Sequence, residues 1–194
     1  MQKLKSTLPN MVIVLGLIAA ITSSLLALVY IVTKEPIAKV QETKLNKAIS
    51  DVVPGLDRFE EYKVKSAIGE DSLTFYKAFN KDGEYIGTAV KSYDNNGFNG
   101  YIEIIVGFDE NGNVIKDVPL KQGETPGLGA KMGDTESHFI TQWFGKNLSS
   151  FTPKVKKDGG DVDAITAATI SSRAYCRAMD LAYQTYLSQK GGNQ

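Results

Sequence analysis

Residues 11–32 form an apolar run that contains no charge and is broken only by Gly16, Thr22, Ser23 and Ser24. About 20 such residues, coiled as an α-helix, match the ~30 Å hydrocarbon core of a bilayer. A cleaved signal peptide has a shorter apolar stretch and a small-residue cleavage site. This run is long and ends in Tyr30-Ile31-Val32-Thr33-Lys34, so it reads as a retained anchor. Whatever folds in this chain must fold beyond it.

Small residues recur along the run at helical spacing, with Gly16, Ala20 and Ser24 on one row and Ala19, Ser23 and Ala27 on the next. Such rows let membrane helices approach closely, so a partner helix fits, although small residues are also common in lone spans. Lys3 and Lys5 precede the run, and Lys34, Lys39, Lys44 and Lys47 follow it. A raw lysine count puts the C-terminal side in the cytoplasm. Long domains translocate largely regardless of charge, so the count does not settle the side.

Beyond the anchor the expected class is α+β, with an antiparallel sheet and flanking helices. Residues 36–53 have apolar positions at helical spacing (Ile37, Val40, Leu45, Ile49, Val52) and end at Pro54-Gly55. A charged connection follows. Alternating and aromatic-rich runs then predict strands over 73–79, 85–93, 101–108 and 114–120. Turns are expected at Lys81-Asp82-Gly83, Asp94-Asn95-Asn96-Gly97 and Asp109-Glu110-Asn111-Gly112. The nearly all-apolar third run belongs inside the sheet. A helix capped by Asp134 is expected to reach about residue 144, a last strand to cover 164–166, and a long helix to cover 170–189. That helix packs through Ala174, Ala178, Leu181, Ala182 and Tyr186. The expected divisions are a tail (1–10), a transmembrane helix (11–33), an amphipathic connecting helix (34–55), one soluble domain (56–190) and a flexible tail (191–194).

Several chemistries are excluded at once. The 194 residues carry no net formal charge, which gives no general attraction to nucleic acid. A single cysteine, Cys176, rules out an internal disulfide, a Cys₂His₂ zinc site and an all-cysteine iron–sulfur cluster. A single histidine, His138, leaves no histidine-based metal cluster. It also lies far in sequence from the Ser/Thr-rich stretch, so those hydroxyls lack the base that a hydrolase nucleophile needs. Cys176 reads as a small buried apolar residue and His138 as an exposed or core-edge helix residue. Redox chemistry here requires an organic cofactor.

Two stretches invite such a group. In Asp163-Ala164-Ile165-Thr166-Ala167-Ala168-Thr169, followed by Ile170-Ser171-Ser172, hydroxyls crowd the start of a helix. Unpaired N–H groups and the helix dipole favour a phosphate there. On spacing alone an ordinary Thr/Ser N-cap is the better explanation of the stretch. Upstream, Gln122-Gly123-Glu124-Thr125-Pro126-Gly127-Leu128-Gly129-Ala130-Lys131 is a loop whose backbone can come close to a ligand.

The first stretch resembles the flavinylation sequence of FMN-binding domains, Asp followed by Ser/Thr-Gly-Ala-Thr, and Glu124-Thr125-Pro126-Gly127-Leu128-Gly129 resembles that family's second signature. The two occur in the family's order behind one apolar helix. The chain is similar to G subunits of Rnf-type ion-translocating ferredoxin:NAD⁺ oxidoreductases, and less so to the larger C subunits of sodium-translocating NADH:quinone oxidoreductases. The resemblance implies that residues 56–190 are an FMN-binding domain with FMN esterified through its phosphate to Thr169. Asp163, Thr166, Ala167, Ala168 and Ser171 would frame that linkage, with Glu124, Thr125, Gly127, Leu128 and Gly129 along the flavin. Lys131 would either pair with the phosphate or flavin edge or stay solvated. Asp163 would either serve the modifying enzyme or orient the loop.

The resemblance further implies an electron-relaying subunit of a redox-driven ion pump. Its partners are the other membrane and redox subunits and an FAD-dependent flavin transferase, and its soluble domain lies on the outer (periplasmic) face. Two departures stand out. Ala167 replaces the motif's glycine, and Gln122 replaces a histidine that many members carry before Glu124. An anchored assembly subunit without flavin is the competing expectation.

Overall fold

The computed structural model describes residues 7–68 and 71–191. The chain divides into two units, Met1–Lys44 and Leu45–Gln194. Residues 1–6 of the expected N-terminal tail and 192–194 of the expected C-terminal tail lie outside the described residues.

The first element, α1 (Leu8–Val52), is one continuous helix rather than an anchor followed by a separate amphipathic helix. It runs through Pro36, which removes one intrahelical hydrogen bond. Over residues 11–32 every side chain is exposed, and the helix is long and apolar enough to cross a membrane.

In the second unit, β1 (Arg58–Lys65), β2 (Ser72–Phe79), β3 (Tyr85–Gly97), β4 (Gly100–Phe108) and β5 (Val114–Lys121) pair in sequence order as an antiparallel meander. β1 occupies the expected charged connection, where Arg58, Glu60, Glu61, Lys63 and Lys65 interrupt any apolar alternation. It is an edge strand, where solvated charges discourage further pairing. The expected turn at 94–97 is also moved. β3 continues to Gly97, which pairs with Gly100, and Phe98-Asn99 make the turn.

Two apolar layers sandwich the sheet. On one face the last turns of α1 bury Ala48, Ile49 and Val52 against Tyr76, Ala78, Ala89 and Ile105. A Cβ added at Gly107 of β4 would lie 2.1 Å from the Val52 carbonyl oxygen, so glycine is what lets the helix end reach the sheet. The other face carries the larger core, built from Phe75, Val90, Ile104, Val106 and Phe108 under the last helix, α3 (Thr169–Gly191). Ala174, Ala178 and Ala182 face this core, as their spacing predicts, and Cys176 is buried with them. β4 is covered on both sides, which explains its nearly unbroken apolar sequence.

Between β5 and α3 the chain departs from expectation. The helix expected over 134–144 is reduced to one turn, α2 (His138–Thr141). The Asp134 side chain accepts the Glu136 N–H and folds the chain locally, and Gly145 (φ 71°) ends the segment in a left-handed conformation. No strand forms at 164–166. The Ile165 N–H, which a ladder would use, donates instead to Ser172 Oγ on α3.

Candidate functional site

Three segments converge on a cavity of about 300 Å³. Phe98 comes from the β3–β4 turn, Glu124, Thr125, Leu128 and Gly129 from the loop after β5, and Ala167, Ala168, Thr169, Ile170 and Ser171 from the start of α3. Eight of the twelve residues singled out from sequence therefore share one cavity, while Asp163, Thr166, Gly127 and Lys131 are not among its lining residues.

The floor of the site is a buried hydrogen bond. Ser171 Oγ donates to Glu124 Oε2 at 2.6 Å, and the other carboxylate oxygen accepts the Asn99 N–H at 3.3 Å. Glycines flank the carboxylate on both sides. A Cβ at Gly129 would lie 2.6 Å from Ser171 Oγ and 2.8 Å from Glu124 Oε2, and one at Gly97 would lie 2.6 Å from Glu124 Oε1. Gln122 accepts the Glu124 backbone N–H through its side-chain oxygen at 2.6 Å. Gly127 (φ 79°) turns the loop back, and Thr125 closes it by accepting the N–H groups of Leu128 and Ala130.

The helix end is built differently from the Thr/Ser cap that spacing alone allowed. The residue before α3 is Ala168, which has no side-chain acceptor. The N–H groups of Thr169, Ile170 and Ser171 find no acceptor among the described residues, and the Thr169 hydroxyl makes no hydrogen bond there. Just before it, the Ala168 N–H donates to Ile165 O and closes a tight turn. Ala167, third in that turn, has φ 58°, the one positive value at a non-glycine among the described residues. This left-handed conformation favours glycine, and the alanine adopts it at some strain. Ser172 holds the turn to the helix, accepting from Ile165 N and donating to Ala168 O, each at 3.0 Å.

Apolar side chains rim the cavity: Phe98, Leu128 and Ile170 are 64%, 41% and 48% exposed. The combination of uncapped N–H groups, a free hydroxyl, glycine-lined backbone and apolar rim suits a ligand with an anionic end and a flat apolar body. These residues fit a flavin mononucleotide.

Asp163 lies outside the lining in its own polar cluster. Lys156 Nζ sits 2.8 Å from Oδ1 and 2.9 Å from Oδ2, and His138 Nε2 lies 3.4 Å away. Lys156 first, and His138 second, hold the carboxyl below the ordinary carboxylate range. Gln142 clamps the Asp163 backbone, accepting its N–H at 2.7 Å and donating to its carbonyl at 3.1 Å. His138 thus sits beside the stretch from which sequence distance separated it. Lys131 is exposed in the short 3₁₀ segment Gly129–Gly133 and has no ion pair among the described residues. Thr166 is exposed on the turn.

Sequence reasoning missed Phe98, Ile170, Asn99, Gln142 and Lys156. Reading the β3–β4 hairpin two residues later would have found Phe98 and Asn99. The contact of Gln142 with Asp163 spans 21 residues and that of Lys156 spans seven, and neither follows a regular helix or strand spacing.

Residues 97–184 match the model of the FMN-binding domain, and residues 1–52 match that of the RnfG N-terminal region. The chain is 33% identical over 189 residues to the G subunit of the ion-translocating oxidoreductase complex of Shewanella piezotolerans, covering 92% of this chain and 88% of that protein. It is 33% identical over 174 residues to the corresponding G subunit of Vibrio vulnificus, covering 85% and 82%. The crystal structure of Shewanella oneidensis NqrC superposes with a TM-score of 0.50 at 23% identity, covering 73% of this chain and 72% of that one, a likeness of fold.

Proposed function

Because the chain belongs to the family of G subunits of ion-translocating oxidoreductase complexes and carries an FMN-binding domain, we propose that it is a membrane-anchored flavoprotein relaying electrons inside such a complex, with FMN joined through its phosphate to Thr169 Oγ1. The observation that carries this reading is the free Thr169 hydroxyl beside three uncapped N–H groups at the mouth of the cavity.

A phosphodiester at Thr169 retains one negative charge. The N–H groups of Thr169, Ile170 and Ser171 are placed to accept that charge at the positive end of a 23-residue helix. The flavin supplies reversible electron storage. The chain's own residues do the rest: Gly129 lets the loop backbone come close, Phe98, Leu128 and Ile170 shield the ring from water, and the Glu124–Ser171 bond holds the two walls together. Asp163, fixed by Gln142 and Lys156, orients the exposed turn that an FAD-dependent transferase must grip during maturation. α1 crosses the membrane, and the domain faces outward. There, covalent attachment prevents loss of the cofactor. The electron partners are other subunits of the complex, which couples ferredoxin:NAD⁺ electron transfer to ion movement.

Intact mass of the protein purified from cells that carry the transferase tests the reading. An added FMN phosphoryl group and yellow-green in-gel fluorescence are expected, and both should vanish in Thr169→Ala. An unmodified mass would leave an anchored assembly subunit, and fluorescence retained by Thr169→Ala would move the linkage elsewhere.

A further inference from the structure

One buried carboxyl has no part in the site described so far. Asp117 of β5 is fully buried on the α3 face of the sheet, opposite Val106 of β4. Its Oδ2 accepts the Tyr175 hydroxyl at 2.5 Å, and its Oδ1 has no hydrogen-bond partner among the described residues. Tyr175 lies one helical turn beyond Ser171, on the same face of α3. Two carboxyls, Asp117 and Glu124, thus meet two hydroxyls of one helix, and the second pair forms the floor of the cavity. Tyr175 is six residues from Thr169, ~9 Å along the helix axis.

We propose that Asp117 is a proton-accepting group linked to the charge in the Thr169 cavity, taking up a proton when that charge becomes more negative. This rests on the flavin reading of the cavity. A buried carboxylate with one unpartnered oxygen is poorly stabilised as an anion, so modest changes in the local field decide its state. Burial pushes its pKa up to about 7, and the hydrogen bond from Tyr175, its own backbone N–H and the charge of Lys116 pull it back only partly. Among the described residues, the ionisable groups that act on it are Lys116 on its own strand and Tyr175 on α3, and Cys176 in turn neighbours Tyr175. Val106, facing it from β4, is apolar, and Trp143, whose ring lies 6.4 Å from that of Tyr175, is uncharged.

The step balances. Bound FMN would take two electrons and one proton from a low-potential reductant, which would leave the cavity one charge more negative. Asp117 takes a second proton from solvent, and its carboxylate becomes a carboxylic acid. As a general scale, a unit charge ~10 Å from a carboxyl at an effective dielectric of ~20 moves its midpoint by about one pH unit.

The test is a carbon-13 NMR titration of the aspartate carboxyls in the full chain in detergent. It compares the flavin-loaded protein, oxidised and dithionite-reduced, with unloaded Thr169→Ala. Asp117→Asn identifies the resonance by removing it. Should that variant not fold, Tyr175→Phe identifies it by moving its midpoint upward. The expected result is a midpoint higher by about one pH unit in the reduced than in the oxidised protein. The same midpoint in both redox states overturns the linkage. Intact mass of each sample separates the two ideas: loaded protein with an unmoved midpoint defeats only the linkage, whereas protein without added FMN mass defeats the reading of the cavity.

Discussion

The hydroxyl of Ser171 and the carboxylate of Glu124 are joined by a buried 2.6 Å hydrogen bond across 47 residues of sequence. The bond fastens the loop after β5 to the first turn of α3, and each partner leaves the other unsatisfied if removed. Ser171→Ala leaves a buried carboxylate oxygen unpaired and should cost about 1–3 kcal/mol in urea unfolding. Glu124→Gln keeps the shape and a hydrogen-bond acceptor and should cost less. In the double variant the two losses should sum to less than their separate values, because both report one contact.

Ala167→Gly should stabilise the domain. A non-glycine at φ 58° carries about 1–2 kcal/mol of strain, and the added freedom of glycine in the unfolded chain returns roughly 0.4–1 kcal/mol of it. A net gain of about 0.5–1 kcal/mol is expected, measured as a raised urea midpoint at unchanged slope. Ala167→Val, with a branched side chain at the same φ, should lower the midpoint.

Gly129→Ala and Gly127→Ala separate crowding from backbone strain. At Gly127 (φ 79°) an added Cβ meets nothing within 4 Å, so only the backbone penalty of about 1 kcal/mol applies. At Gly129 it collides with both members of the Ser171–Glu124 pair. Gly129→Ala should therefore be the more destabilising and should reduce FMN incorporation by intact mass, while Gly127→Ala should largely retain it.

The pH dependence of stability follows from Asp117. Its pKa rises from 3.8 to about 7 on folding, so between these values the folded state binds more protons than the unfolded one. The stability it contributes is complete below pH ~4 and is lost as the pH rises through about 7. Urea midpoints should fall from about pH 5 to about pH 8 in the native protein and stay nearly level in Asp117→Asn. Asp158 and Asp163 have depressed values set by Arg173 and Lys156, and they act with the opposite sign, losing their contribution only in stronger acid.

The meander was legible because β2 to β5 are apolar or aromatic-rich runs set between turn signals, and α3 because its alanine face is long and regular. β1 was hidden because an edge strand with solvated sides needs no apolar alternation. The segment 134–166 misled for another reason. Phe139, Ile140 and Trp143 are buried by tertiary packing, yet local side-chain bonds such as that of Asp134 break the helix their spacing suggests. Of the site, the two motif stretches were visible, but how they met was not. The uncapped helix end depends on where α3 begins, and a shift of one residue exchanges Ala168 for Thr169 at the cap.

The cavity is assembled from a hairpin tip at Phe98, a loop at 124–129 and a helix that starts at Thr169. The meander can pair strand by strand from neighbours in sequence, but no part of it alone contains both walls. A chain with its sheet formed and α3 undocked leaves the Thr169 hydroxyl on an unframed segment. Under the proposed linkage to Thr169, cofactor content would report completed tertiary assembly: in a population of molecules, the flavin would mark those in which the last helix has reached its place.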